Sequence, residues 1–311
     1  MKRSVLFIAC CLLILAANAQ EKLSEKNYRV YSVKQGKEVS LGDIAADMNN
    51  YDVLFFGEEH NDSVTHYLEQ AILRTLYDKF GDKLTLSMEM FDRDVQLVMN
   101  EYLQDAIREK HFTKDARVWS NYRDYRPLVE FAKEKKLDVV CANAPSRYTN
   151  IAGRKGQEAL KELPKQSKEY FAPLPYKVAT GDYYNKLMEM SGHSMAPAAD
   201  STKAKAPPMP MGGFDLPTAQ SLWDATMAYS ICSYYKKHKD HKIMQVNGRF
   251  HSDEGFAVAA QLKNYNKKIS RLVISTSSDD AFPNIKWDDY KKYGDYIIIT
   301  DPKVPRTYSS Q

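Results

Sequence analysis

Two short segments carry the residue types best suited to chemistry. In the first, an apolar run starting near residue 51 ends in Gly57-Glu58-Glu59-His60, and the helix-capping types Asn61, Asp62 and Ser63 follow at once. In the second, the run 243–247 ends in Gly248-Arg249-Phe250-His251, with Ser252, Asp253 and Glu254 behind it. Each reads as a buried strand, a Gly-x-x-His turn and a helix start. Glycine at the strand end lets the chain turn sharply and bring backbone close to a ligand. An imidazole at the mouth of such a turn is a metal ligand or a general base.

Carboxylates accompany both turns. Glu58 and Glu59 are adjacent, so one should face inward. Glu89 ends a third apolar run, Leu86-Ser87-Met88-Glu89-Met90-Phe91. A carboxylate buried there without a partner is costly, so it must meet a cation, a metal or hydrogen-bond donors. The candidate catalytic set is therefore Glu58, His60, Glu89 and His251, and the candidate metal ligands are His60, Glu89 and His251, for a divalent ion. His66 sits close enough in sequence to His60 to reach the same mouth. Arg147 and Arg249, after two further strands, offer positive charge to an anionic group. A single strand-end histidine often does no more than hydrogen-bond loop backbone; two such turns with a strand-end glutamate favour a site.

Several common chemistries are excluded. No Gly-x-Gly-x-x-Gly, P-loop or Gly-x-Ser-x-Gly elbow stands at a strand end, and there is no His-Glu-x-x-His helix. The formal net charge is +4, which predicts no nucleic-acid partner.

The elements that must position these residues alternate. Strands are expected near 51–57, 83–91, 137–143, 242–246, 272–276 and 296–300, the last at an edge, with a short edge strand at 27–33. Helices are expected over 62–80, 94–107, 126–136 with Pro127 in its first turn, 217–238 and 252–265. Strand–helix alternation with short connections predicts an α/β fold, a mainly parallel sheet flanked by helices. In such a sheet ligands bind outside the carboxyl ends of the strands. The alternation breaks at 150–215, a partly helical, irregular insertion whose 183–190 stretch carries apolar residues and should dock. Residues 195–213 are rich in Pro, Ala and Lys and read as a flap, with Lys203 and Lys205 as its expected cleavage points.

The remaining divisions are a signal peptide at 1–19, a polar lead-in at 20–50, one domain at 51–300 and a polar tail at 301–311. Lys2 and Arg3 precede the apolar 5–15, and Ala17-Asn18-Ala19 offers a cleavage site. An exported protein is expected, periplasmic or associated with the outer membrane; a lipid anchor on Cys10 or Cys11 would leave almost no apolar region before it. Cys141 and Cys232 are then the two thiols left, both expected buried and free.

The same residues resemble the ChaN-like haem-binding uptake proteins of the Tiki superfamily. The resemblance runs through Gly57-Glu58-Glu59-His60 with His66, then Met88-Glu89-Met90-Phe91-Asp92, Trp119 with Tyr122 and Tyr125-Arg126-Pro127, and Asn143-Ala144-Pro145-Ser146-Arg147. It resumes at Ala219-Gln220-Ser221-Leu222-Trp223-Asp224-Ala225 and ends at Asn247-Gly248-Arg249-Phe250-His251. It implies an exported haem-binding protein of bacterial haem or iron acquisition, with haem as ligand, a homodimer that buries it, and peripheral association with outer-membrane uptake machinery. It also implies kinship with erythromycin esterase-like hydrolases and Tiki metalloproteases, hence an alternative reading as a metal-dependent or His/Glu hydrolase. The second turn departs from the usual Gly-Asn-Gly-His by its bulkier Arg249-Phe250, which should narrow the crevice. A haem needs an axial His, Tyr or Met, an apolar slot and cations for its propionates. The insertion offers Tyr176, Tyr183, Tyr184 and His193 among methionines and lysines; Tyr183, Tyr184, His193 and Arg147 are the haem candidates, and spacing does not choose among them.

Overall fold

The computed structural model describes residues 23–190 and 213–308. Residues 1–19, His193, and residues 195–212 of the expected flap, with Lys203 and Lys205, lie outside the described residues. Eight strands form one sheet: β1 (Tyr28–Ser32), β2 (Lys37–Glu38), β3 (Val53–Glu58), β4 (Leu84–Asp92), β5 (Val139–Asn143), β6 (Lys242–Gly248), β7 (Arg271–Ser278) and β8 (Tyr296–Thr300). Their order is β2-β1-β8-β7-β3-β6-β4-β5. From β8 to β5 all neighbours run parallel. The antiparallel pairings are the two that β1 makes, with β2 and with β8. The fold is α/β with a mostly parallel sheet.

Alternation along β3 explains its unbroken apolar sequence. Leu54 and Phe56 pack into the core on one face, with Leu86, Met88, Met244, Val246 and Ile274. Val53 and Phe55 pack into the core on the other, with Ile243, Val273, Met227 and Ile231. A strand covered on both faces has no polar positions to alternate with. The first face is covered by α1 (Leu41–Asp47), α2 (Ser63–Phe80), α3 (Gln96–Leu103), α4 (Glu109–Asp115) and α5 (Tyr122–Lys135). Asp62 caps α2 by accepting from the backbone of Val64 and Thr65. The second face is covered by α8 (Leu216–Lys237) and α9 (Ala257–Tyr265).

The described part of the insertion is packed. Before α8, α6 (Ser146–Lys155) and two 3₁₀ turns place Tyr148, Leu160, Phe171 and Tyr176 against Leu222 and Ala225 of α8. α7 (Gly181–Met190) buries Tyr183 and Leu187 against Ala257. Cys141 and Cys232 are free and buried.

Three expectations need correction. Residues 296–300 are not at an edge, because β1 pairs with β8 along its whole length; the edges are β2 and β5. α5 begins at Tyr122, not at 126, so Pro127 lies inside the helix. The extra turn brings Asp124 and Tyr125 onto the helix. The helix after His251 starts at Ala257, because Glu254 and Gly255 take positive φ and interrupt it.

Candidate functional site

The strand order decides where the chemistry gathers. β6 lies between β3 and β4, so Glu58 and His60, the 248–251 turn, and Glu89 share one crevice at the carboxyl ends of three adjacent strands. The two glycines are needed there for space rather than for an unusual φ. A Cβ on Gly57 would meet Ser252 Oγ at 2.8 Å, and Arg249 Cα and Ile274 O each at 3.0 Å. A Cβ on Gly248 would meet His60 Nε2 at 2.6 Å.

In the β3 half, Glu58 is the inward carboxylate, 1% exposed. Its Oε1 lies 2.7 Å from His60 Nδ1 and accepts a hydrogen bond from Tyr125 Oη at 2.8 Å. Glu59 points instead to Arg306 and Ser277. The Glu58 contact leaves His60 Nε2 facing Gly248, with Trp119 edge-on at 5.3 Å. Burial pulls the His60 pKa down, but the hydrogen bond and charge of Glu58, with Glu89 beyond, outweigh it and raise it to about 9. Burial and the neighbouring Glu69 raise Glu58 to about 7 against the opposing pull of His60 and His66. The pair therefore retains a proton through neutral pH.

In the β6 half, His251 is buried and its Nδ1 lies 2.6 Å from Asp224 Oδ1 on α8. Asp224 Oδ2 accepts from Tyr183 Oη at 2.7 Å. His251 Nε2 lies 3.5 Å from Glu89 Oε1 and 3.3 Å from the Gln220 amide. Burial lowers the His251 pKa, but the charges of Glu89 and Asp224 and the Asp224 hydrogen bond raise it overall. Glu89 itself accepts the Gly248 backbone N–H at 2.7 Å. The buried strand-end carboxylate thus meets a backbone donor and an imidazole.

The structure brings Glu58, His60, Glu89 and His251 to one place. Tyr183 lies beside them, but its hydroxyl is held by Asp224, and burial with that neighbour raises its pKa well above the ordinary value. Tyr184 is half-buried on the same helix. Arg147 is drawn to Asp94 at 2.6 Å and lies over Tyr148. Arg249 folds back onto Asp253 at 2.8 Å and over the Tyr293 ring, while Phe250 packs on Tyr183 with ring centroids 5.7 Å apart. Among the described residues, the three donors close enough to grip one cation are Glu58, His66 and Glu69, all within 4.8 Å of one another.

Tyr125, Asp224, Gln220 and Glu69 were not singled out as site residues from their chemistry. A signal existed for two of them. Asp224 is the one charged residue in the 219–228 stretch, and Glu69 falls on the apolar stripe of α2 beside Leu68 and Ile72.

Residues 44–262 match the family model described as haem-binding uptake, Tiki superfamily, ChaN. The matched span includes both turns and all three strands of the crevice. The chain is also similar to the solved structure titled "Cofacial heme binding to ChaN of Campylobacter jejuni". That likeness has 15% identity, covers 89% of this chain and 98% of that one, and gives a TM-score of 0.64. A second likeness is to an EreC erythromycin esterase variant in its open conformation, with 9% identity, 89% and 99% coverage and a TM-score of 0.49. No curated protein matches.

Proposed function

Since the chain belongs to the ChaN family of haem-binding uptake proteins in the Tiki superfamily, we propose that it is an exported haem-binding protein of bacterial haem and iron acquisition. The observation that carries this reading furthest is the aromatic wall beside the crevice. Tyr183, Phe250 and Phe256 pack together on α7 and the β6 turn, with ring centroids 5.7 and 6.0 Å apart, and Lys186 lies near both phenylalanine rings.

That donor set fits a haem in part. Apolar rings suit the macrocycle, and cations suit its propionates. An axial tyrosine must give up its proton, which Tyr183 is held from doing, so Tyr184 is the better axial candidate among the described residues, with His193 beyond them. Arg147, Arg249 and Lys186 are each paired with a carboxylate, Asp94, Asp253 and Glu254 respectively, so a propionate would have to compete for any of them. When bound, haem would supply the iron that the pathway delivers. The protonated Glu58–His60 pair favours an anionic group at the mouth rather than abstraction of a proton, since a general base works best with a pKa near the working pH.

Export rests on residues 1–19. None of the described helices is long and apolar enough to cross a membrane. Cofacial haem binding is described for the Campylobacter protein; for this chain, a second copy closing over the aromatic wall would bury the ligand in the same spirit, and peripheral contact with uptake machinery follows from an uptake role.

A second reading, a hydrolase, is favoured by one observation: His60 and His251 are each anchored by a carboxylate, and His251 Nε2 lies 3.5 Å from Glu89. His60 Nε2 would activate a water while His251 and Glu89 orient it, or these three would hold a divalent metal. One paired assay separates the readings. A Soret band that grows on haem titration and is lost in Tyr184→Phe but kept in His60→Ala supports haem binding. Ester or peptide turnover abolished by His60→Ala, with no Soret band, supports the hydrolase.

A further inference from the structure

Behind the β3 turn lies a cluster that shares only Glu58 with the crevice. His66 and Glu69 sit one turn apart on α2 and meet Glu58 from the end of β3. Glu58 is 1% exposed, Glu69 0% and His66 8%. Glu58 Oε2 and Glu69 Oε1 are buried and have no hydrogen-bond partner among the described residues. Leaving one such oxygen unsatisfied costs about 1–3 kcal/mol, and more when charged, so this buried pair of carboxyls calls for a shared proton or a cation between them.

The imidazole is oriented for a cation. His66 Nε2 lies 3.1 Å from the His60 carbonyl oxygen, which can only accept, so Nε2 carries a proton. Nδ1 is left facing Glu58 Oε2 at 3.4 Å and Glu69 Oε2 at 3.3 Å. Charge-assisted N–H···O bonds are shorter, about 2.7–2.9 Å. Tetrahedral ligands bound at roughly 2.1 Å stand about 3.4 Å apart, which these separations match. A ring N–H given to a backbone carbonyl is also the usual way a metal-binding histidine is locked in place. Asp124 Oδ2, 4.0 Å from Nε2 and itself without a hydrogen-bond partner, adds negative charge on the far side of the ring.

We propose that Glu58, His66 and Glu69 bind a divalent transition-metal ion at a site separate from the His60–Glu89–His251 crevice. Two carboxylates and one imidazole suit zinc or manganese. Glu58 joins the two sites: Oε2 binds the ion while Oε1 holds His60 and Tyr125. The ion would fix the Glu58 carboxylate, and through it the direction of His60, without touching a ligand in the crevice. It is a positioning element, and it stands whether the crevice binds haem or hydrolyses an ester.

The test is metal content and calorimetry on the full chain, stripped with EDTA and titrated with Zn²⁺ and, separately, Mn²⁺. One equivalent should bind and survive gel filtration, and the thermal midpoint should rise on adding it. Glu69→Gln and His66→Gln each remove a direct ligand and should weaken binding by more than the roughly 10–100-fold that loss of an outer-shell partner costs, while His251→Gln keeps it. Failure of the folded wild-type protein to retain either ion overturns the proposal, whatever the variants do. Binding that survives Glu69→Gln and disappears in His251→Gln overturns it too, by placing the ion in the crevice. A Soret band on haem titration in a protein that binds neither ion sinks this inference alone and leaves the haem reading intact.

Discussion

The β3 and β6 turns share the pattern Gly-x-x-His and the same support, a carboxylate 2.6–2.7 Å from Nδ1, yet they obtain it differently. At β3 the carboxylate, Glu58, lies two residues from its histidine on the same turn. At β6 it is Asp224, from a helix on the far side of the insertion. The β3 imidazole is 37% exposed on its side chain, whereas the β6 one is 8% exposed. A local anchor leaves its imidazole near solvent and able to adjust; a remote anchor ties α7, α8 and β6 into one buried network. The β6 half should therefore matter more to stability, and the β3 half more to ligand response.

The sharpest way to break this contrast is Asp224→Ala. It strips both the His251 Nδ1 and the Tyr183 hydroxyl of their buried acceptor, and losing one partner of a buried charged pair costs about 3–5 kcal/mol. Urea unfolding should show that loss. Glu58→Gln, measured the same way, should cost less, because it also relieves crowding with Glu69. Equal costs for the two would refute the asymmetry.

Gly57→Ala should come next. Its new methyl meets Arg249 Cα and Ile274 O, backbone atoms that cannot swing aside, so about 1–3 kcal/mol is expected from overpacking. Gly248→Ala meets the tip of a movable imidazole instead. It should cost less stability while shifting His60 out of line, read as a changed His60 proton resonance.

The pH response sharpens the comparison. His60 has a folded pKa of about 9, above its ordinary 6.5. Its stabilising contribution is therefore complete below about 6.5 and is lost as pH rises through about 9. Glu58, raised from 4.5 to about 7, acts in the same direction at lower pH. Subtracting the stability curve of His60→Gln from that of wild type should leave a difference that declines between pH 6.5 and 9; a flat difference would mean that the Glu58 pair does not hold the proton. The smallest effect belongs to Arg147→Ala. Its ion pair with Asp94 is half exposed on the arginine side, so stability should move by no more than about 1 kcal/mol.

Much of this was legible in the chain. Periodicity located the strands because β3, β4 and β6 are buried on both faces and so lack polar interruptions. The Gly-x-x-His turns, with a glutamate ending a buried run, marked Glu58, His60, Glu89 and His251 as partners before any coordinates. Pro127 hides the start of α5: a proline fits a first turn best, whereas here it stands sixth in the helix against that preference, so Asp124 and Tyr125 do not read as helical. Asp224 is hard to read because a single acid in a helix is common on solvated faces; only the packing that sets Tyr183 of α7 and His251 of the β6 turn against it shows that this one is enclosed.

Local residue types thus determined which side chains are candidates for chemistry and that they end strands, since strand burial and turn geometry are short-range properties. The order of strands could not be read the same way. That β6 enters between β3 and β4, bringing His251 beside Glu89 and Gly248 beneath His60, depends on how helices on two faces share one sheet. It is a long-range packing outcome, decided by which faces can be covered together, and no segment carries it alone.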